Sequence, residues 1–360
     1  MEKILSIIIP TYNMAALLPR CLDSLTASGV LDDLDILVVN DGSTDSSRAV
    51  AYSYAERYPQ SIKVVDKKNG NYGSTINAAL PLAVGEYVKV LDSDDWFDSQ
   101  ALAKYVAELK SLEQEVDVSV THFLMIHEGG RTETVKYQNY GREPYTYGKV
   151  YNLDKVLGDG FIRYFLMHSL TYRTQLLRDH GYRQTEGISY TDIQWSSYPF
   201  FWAGSIVFHD LVVYRYNMDR EGQTMDPAVI RKSLPQLERM TMDLMDFYRK
   251  ADMSGLSEAR VGFLRQYFKN RLRLLVKTHL MDIPRREFDK EAFSSLDSWI
   301  QAVLTEFRMG RIRVFPENKV IRIDAYRYWH RHRDRLPVWI EGLNHLVDPI
   351  ARRIFVLLFH

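Results

Sequence analysis

The chain has 360 residues, 46% hydrophobic and 26% charged, a balance that excludes a disordered or fibrous protein and, at about 150 residues per domain, predicts roughly two domains. Its 46 Lys and Arg match its 46 Asp and Glu, so there is no global basic excess to hold nucleic acid, and none is expected as a partner. The single cysteine, Cys21, excludes an internal disulfide and a cysteine-based zinc cluster.

The first hundred residues alternate short apolar runs with helical spacing. Leu5 to Ile9 reads as a strand closed by Pro10, and Leu17, Leu18, Cys21, Leu22 and Leu25 share one face of a helix. Asp35 to Asn40 is a second strand. Asp41-Gly-Ser-Thr-Asp45 then turns into a helix reaching about Arg57, with Ser43 and Asp45 as its expected caps. A third strand, Ile62 to Asp66, leads to a turn rich in Gly and Asn, then a helix over Thr75 to Ala83. Tyr87 to Leu91 is the fourth strand. Apolar strands separated by helices predict an α/β, doubly wound, mostly parallel sheet with its ligand crevice at the carboxyl ends of the strands. Four polar clusters fall there: Pro10 to Asn13, Asn40 to Ser43, Lys67 to Asn71, and Asp92 to Asp95.

The alternation changes after a helix over Ser99 to Leu112, for which Asp98 is the expected N-cap. Val116 to Val135 predicts two strands around Glu128-Gly-Gly-Arg131. Leu170 to Arg173 and Ser205 to Tyr214 are further strands, with a helix from Asp192 to Trp202 between them. From Asp226 the chain is helix-rich, with an amphipathic segment at Val261 to Leu275. A soft boundary is expected near residue 220, with 1–115 and 116–220 as the two parts of the first domain, 1–220. A helical region follows at 221–360.

Two clusters carry chemistry. Asp92, Asp94 and Asp95 crowd one strand end, where their repulsion needs a cation or strong donors to offset it, and hard divalent ions take such oxygens. Asp41, directly after a parallel strand, is placed to accept from a base N–H or a ribose hydroxyl. The stretch Asn69 to Asn77 is neither a phosphate-binding P-loop nor a GxGxxG turn, and its Gly70 and Gly73 read equally as turn glycines or as part of the site. His168 and His209 sit in apolar settings that suit core histidines, and Trp195 with Phe200, Phe201 and Trp202 reads mostly as core.

These residues resemble the inverting family 2 glycosyltransferases of bacterial polysaccharide and glycan biosynthesis. Ser6 to Asn13 looks like the family's first strand and nucleotide loop, Val39 to Asp45 like its second strand end, and Gly85 to Asp95 like the strand carrying its metal-binding DxD motif. The resemblance implies the GT-A fold, a Rossmann-like nucleotide-diphospho-sugar transferase fold, with a helical C-terminal extension. It implies a nucleotide-sugar donor, most often a UDP-sugar, and a saccharide or lipid-linked saccharide acceptor. Pro10, Thr11, Tyr12 and Asp41 would line the base and ribose, Asp92 the ribose and donor sugar, and Asp94 would bind Mg²⁺ or Mn²⁺ on the diphosphate. Ile76 stands where the family often has Arg, which leaves Lys68, or a basic residue elsewhere, to contribute. Asp192 occupies the place of the family's catalytic base, with Thr191 where Glu is common; Asp210 and Glu186 are the alternatives. Asn77, Trp195, His209 and Arg220 are further candidate donor or acceptor contacts. The Gln-x-x-Arg-Trp motif of processive synthases is absent, which favours addition of a single sugar. A sugar-phosphate nucleotidyltransferase or a non-catalytic nucleotide-sugar-binding protein are the rival readings. The first lacks its Gly-rich loop, since Pro10 to Ala16 has no glycine.

No run approaches the roughly 18 apolar residues of a membrane span, and the N-terminus does not read as a secretory signal. The expectation is a cytoplasmic protein. The basic tail from Arg327, with its amphipathic end at Leu336 to Phe359, is a candidate peripheral contact with the inner face of a membrane.

Overall fold

The computed structural model describes residues 3–137, 145–160, 162, 164–218, 229, 232–315 and 323–338. The chain forms two compact units, Met1–Glu221 with Gly255–Arg260, and Gly222–Ser254 with Val261–His360.

The first unit is an α/β layer structure. In chain order it contains β1 (Leu5–Thr11), α1 (Leu18–Thr26), β2 (Leu34–Asn40), α2 (Ser47–Arg57), β3 (Ile62–Asp66), α3 (Asn71–Ala79), β4 (Tyr87–Val90), β5 (Trp96–Phe97), α4 (Ser99–Lys110), β6 (Val118–Ile126) and β7 (Thr132–Val135). Then come β8 (Val150–Asn152), α5 (Leu153–Gly158), β9 (Leu170–Arg173), α6 (Thr174–Asp179), α7 (Asp192–Trp195) and β10 (Ser205–Asn217). Among the described residues the sheet runs β3-β2-β1-β4-β9-β6-β10-β5, with β7 on β6 and β8 on β10.

β3, β2, β1 and β4 are parallel, and every residue of β1 and β2 is buried, as expected of strands covered on both faces. Their register pairs Thr11 with Asn40 and Asn40 with Asp66, so the carboxyl ends meet at one edge. Beyond β4 the sheet is mixed: β9 pairs antiparallel with both β4 and β6, and β10 runs parallel to β6. That pairing brings the end of β10 to β5 and the acid loop, with Tyr214 opposite Phe97.

Three expectations need correction. The helix predicted over Asp192 to Trp202 is one turn, α7, followed by a 3₁₀ turn at Tyr198–Phe201; Pro199 has no N–H with which to continue a helix. The helix after β3 starts at Asn71, not Thr75, and encloses Gly73, where an added Cβ would lie 2.1 Å from the Thr185 carbonyl oxygen. Close approach of a second chain segment, not turn geometry, is what requires glycine there. Ser43 does not cap α2: its Oγ accepts from Asn13 N–H, while Asp45 accepts from both Ser47 N–H and Ala15 N–H. Asp98 does cap α4, accepting from Ala101 N–H at 2.8 Å.

The second unit contains α8 (Leu234–Lys250), most of α9 (Glu258–Lys277), α10 (Lys290–Glu306) and α11 (Ala325–His332). On α8, Leu237, Met240, Thr241, Leu244, Met245 and Tyr248 form the buried stripe that a 3.6-residue period dictates. Asp297 of α10, buried, holds α11 by accepting from Tyr326 O–H at 2.6 Å and Trp329 Nε1–H at 3.0 Å. Among the described residues no helix is long and apolar enough to cross a membrane. Arg220 and residues 339–360 of the basic tail lie outside the described residues.

Candidate active site

The loop after β4 separates its three carboxylates by environment. Asp95 is 1% exposed and spends its oxygens on the fold, accepting from Tyr214 O–H at 2.6 Å and Asn217 N–H at 2.7 Å. Burial, then Asp94 and Asp92, hold its carboxyl well above the usual range. Asp92 accepts from the Tyr72 hydroxyl at 2.8 Å. Burial, and then the charge of Asp94, push its carboxyl up to about 7; the Tyr72 hydrogen bond opposes this and Asp192 adds to it. Asp94 is half-buried, and its carbonyl oxygen accepts from Arg20 at 2.8 Å, whose guanidinium lies 3.7 Å over Trp96.

A surplus of negative charge that neighbouring donors leave only partly compensated is what a divalent cation relieves. His168 adds a nitrogen donor. One ring nitrogen of His168 and one oxygen each of Asp92 and Asp95 all lie within 4.8 Å of one another, and His168 Nδ1 has no hydrogen-bond partner. Burial, then Lys89, hold this imidazole down at about 3, so it is neutral near pH 7. Hard carboxylate oxygens with one neutral imidazole suit Mg²⁺ or Mn²⁺. Underneath, Lys89 of β4 is fully buried and donates to the carbonyls of His168 at 2.8 Å and Leu170 at 3.2 Å; burial lowers its ammonium to about 7.

Asp41, 3% exposed, follows β2. Its Oδ1 accepts from Lys67 Nζ at 2.7 Å and from Gly70 N–H at 3.0 Å. Its Oδ2 has no partner among the described residues and is the oxygen left for a ligand N–H. The basic residue here is Lys67, not Lys68, which is exposed and supplies only its carbonyl oxygen to Lys67. Thr11 and Pro10 are buried in β1, and the Thr11 hydroxyl donates to its own strand at the Ile9 carbonyl. Tyr12 is 46% exposed at the same edge.

Asp192 is exposed at the start of α7, and its charge acts on Asp92, Tyr72 and Tyr216. The turn leading into it holds Tyr190 at a φ of 68°, a left-handed conformation that costs a bulky residue about 1–2 kcal/mol. Of the alternatives, Glu186 pairs with Arg183 and with Asn77 Nδ2, and Asp210 pairs with His122.

The other expected contacts are engaged elsewhere. Asn77 clamps the loop at Gln184 through both backbone groups and is a structural residue. Trp195 is 1% exposed, edge-on to Tyr172 and Tyr182, so it has no face for a sugar. His209 is fully buried against Tyr105 and pairs with Glu108 of α4 at 2.5 Å. Sequence reasoning missed Lys67, Tyr72, Tyr214 and Lys89. Two had a signal: Lys67 opens the polar cluster after β3, and Lys89 is a lone charge inside the apolar strand Tyr87-Val-Lys-Val90.

Residues 6–171 match the family model described as "Glycosyl transferase family 2". The chain is 40% identical over 109 residues to an uncharacterized glycosyltransferase, MG025 homolog, of Mycoplasma pneumoniae, covering 29% of this chain and 36% of that protein. It is 28% identical over 308 residues to the poly(ribitol-phosphate) beta-glucosyltransferase of Bacillus spizizenii, covering 84% of this chain and 45% of that protein. The matches thus span less than half the length of both relatives. In fold, the chain is similar to residues 1–349 of TarS from S. aureus in complex with UDP, with a TM-score of 0.62, 21% identity, and coverage of 92% of this chain and 88% of that one.

Proposed function

We propose that this chain, whose residues 6–171 match the glycosyl transferase family 2 model, is a member of that family and moves one sugar from a nucleotide-sugar, a UDP-sugar, to a saccharide or lipid-linked saccharide acceptor with inversion at the anomeric carbon. Residues 1–220 would form the catalytic domain and 221–360 a helical extension. The reading rests above all on one observation: the exposed carboxylate of Asp192 lies near enough to the acid loop for its charge to act on Asp92. That proximity supports a base for the acceptor and a site for the donor in one crevice.

In this reading Asp41 Oδ2 accepts a base N–H while Lys67 and Gly70 fix Oδ1. Tyr12 covers the base, and Tyr72 orients Asp92. Asp92 and Asp94, with the His168 imidazole as the nitrogen donor, would hold Mg²⁺ or Mn²⁺, whose chemistry when bound is to neutralise charge on the departing nucleoside diphosphate. Asp192 takes the proton of the acceptor hydroxyl as it attacks. The similarity to a poly(ribitol-phosphate) glucosyltransferase supports an acceptor from cell-surface polymer assembly, and such an acceptor fits work in the cytoplasm at the inner face of the membrane.

Asp192→Asn keeps the size of the side chain and removes its basicity. UDP affinity by calorimetry should stay within about twofold of the parent, while turnover falls roughly 10²-fold or more. NMR of the product should show the inverted anomer. A variant with parental turnover would remove Asp192 as the base, and a retained configuration would remove the single displacement.

A further inference from the structure

The second unit holds a basic cavity that the glycosyl-transfer site does not use. On α9, Gln266, Lys269, Asn270 and Arg273 recur at i, i+3, i+4 and i+7, so they share one face. The facing wall is the extended segment after Met309. There Ile312 and Val314 are buried while Arg311 and Arg313 alternate outward. Two contacts pin this wall. Ala325 N–H donates to the Val314 carbonyl at 2.7 Å, and Asp324 accepts from Val314 N–H at 3.1 Å. Gly310, at a φ of +65°, turns beside Lys269, whose Nζ lies 3.7 Å from where its Cβ would be. The cleft between these walls is open to solvent and has a volume of ≈ 350 Å³, at the small end of ligand sites.

The charge in this cavity is one-sided. Lys269, Arg311 and Arg313 have no ion pair or hydrogen bond among the described residues. Asp324, the carboxylate acting on Arg273, already caps α11 at Tyr326 N–H and Arg327 N–H. Burial, then Arg313, lower the Lys269 ammonium, and burial lowers the Arg273 guanidinium. Four cations crowded on the walls of one cavity repel each other, and an anion entering between them would reverse that cost. Two arginine forks and an ammonium converging on a concave site match a tetrahedral phosphate with several acceptor oxygens better than a planar carboxylate or a flat bilayer.

We propose that this cavity binds a phosphodiester group of an anionic acceptor chain, holding the polymer on the helical unit; as an assignment of acceptor chemistry, this rests on the glycosyltransferase reading. The full chain is titrated with an end-labelled synthetic hexamer of glycerol phosphate, read by fluorescence anisotropy, and separately with UDP. The parent should bind the hexamer. Arg311→Gln/Arg313→Gln, two exposed substitutions, and Lys269→Gln should each weaken it at least tenfold, and Arg286→Gln, an exposed arginine outside the cavity, should not. UDP affinity should be unchanged in all four proteins. Loss of UDP binding by the parent would count against the glycosyltransferase reading, while the hexamer titration alone decides the phosphate site. Equal hexamer affinity in the double variant and the parent would overturn the proposal. So would equal binding of polyglutamate of matched charge, or binding of phosphatidylglycerol vesicles but not of the hexamer.

Discussion

Lys67→Met tests the nucleotide end of the crevice. The Asp41–Lys67 pair is 2.7 Å long, with side chains only 5% and 21% exposed. Removing the cation leaves the Asp41 carboxylate buried with one protein donor, Gly70 N–H at 3.0 Å. Breaking one side of a buried pair costs about 3–5 kcal/mol, and the retained N–H and partial exposure of Lys67 place this case near the lower end, about 3 kcal/mol. Ser74, which also loses its contact with Lys67, keeps its bond to the Asn71 carbonyl and adds little. For a unit of this size about 3 kcal/mol corresponds to a fall in melting temperature of roughly 6–12 °C. The double variant Lys67→Met/Asp41→Asn removes the orphaned charge and should recover at least half of the loss, a coupling of about 1.5 kcal/mol or more by urea denaturation. The reasoning fails if Lys67→Met alone costs less than about 0.5 kcal/mol, or if the double variant loses the sum of both single effects. UDP affinity should fall in both variants, since Asp41 Oδ2 keeps its orientation only while Oδ1 is fixed.

Other perturbations probe the rest of the site. Asp94→Asn should leave the melting temperature near that of the parent and remove the Mn²⁺ dependence of UDP binding; calorimetry showing unchanged affinity with and without EDTA would exclude Asp94 as a ligand. Gly73→Ala forces a methyl to within 2.1 Å of the Thr185 carbonyl, which should destabilise by about 1–3 kcal/mol and lower turnover by displacing the loop before Asp192; a neutral effect would show that the loop yields freely. Lys89 predicts a pH dependence. Burial lowers its pKa from 10.5 to about 7, so between those values the unfolded chain binds a proton that the folded one has shed. Parent stability should therefore rise with pH relative to Lys89→Met, by up to about 1.4 kcal/mol per unit across pH 7–10.5. Parallel stability curves for the two proteins would contradict this.

The parallel half of the sheet was legible because its strands are buried on both faces and so appear as unbroken apolar runs such as Ile7-Ile-Ile9 and Ile36-Leu-Val-Val39. The short elements were not. β5, β8 and α6 hold two, three and six residues, too few for a period to repeat, and β5 and β8 take their positions from pairing with the distant strand β10. The one-turn α7 was lengthened in the reading because aromatic spacing continues through Tyr198–Phe201, although Pro199 interrupts the backbone ladder.

At the site, the sequence carried the kind of chemistry but not its division of labour. The crowding of Asp92, Asp94 and Asp95 was visible; that Asp95 belongs to the fold was not, because Tyr214 and Asn217, which claim it, arrive about 120 residues later on β10. Asp92 likewise takes its hydrogen bond from Tyr72, whose position depends on the true start of α3 at Asn71. The choice between Lys67 and Lys68 turns on a single residue: at a strand end, successive side chains point to opposite sides, so Lys67 reaches Asp41 while Lys68 faces solvent. His209, Trp195 and Asn77 carry groups as able to bind a ligand as any in the crevice. Each is withheld by a partner from another element: Glu108 of α4, Tyr172 of β9, and the loop at Gln184. A residue's chemistry is set locally by its side chain, but whether it is free to act depends on which groups the sheet order brings against it. In this fold Asp192, one hundred residues later in sequence, comes near enough for its charge to act on Asp92, while the end of β10, brought to the acid loop by the sheet order, takes up Asp95.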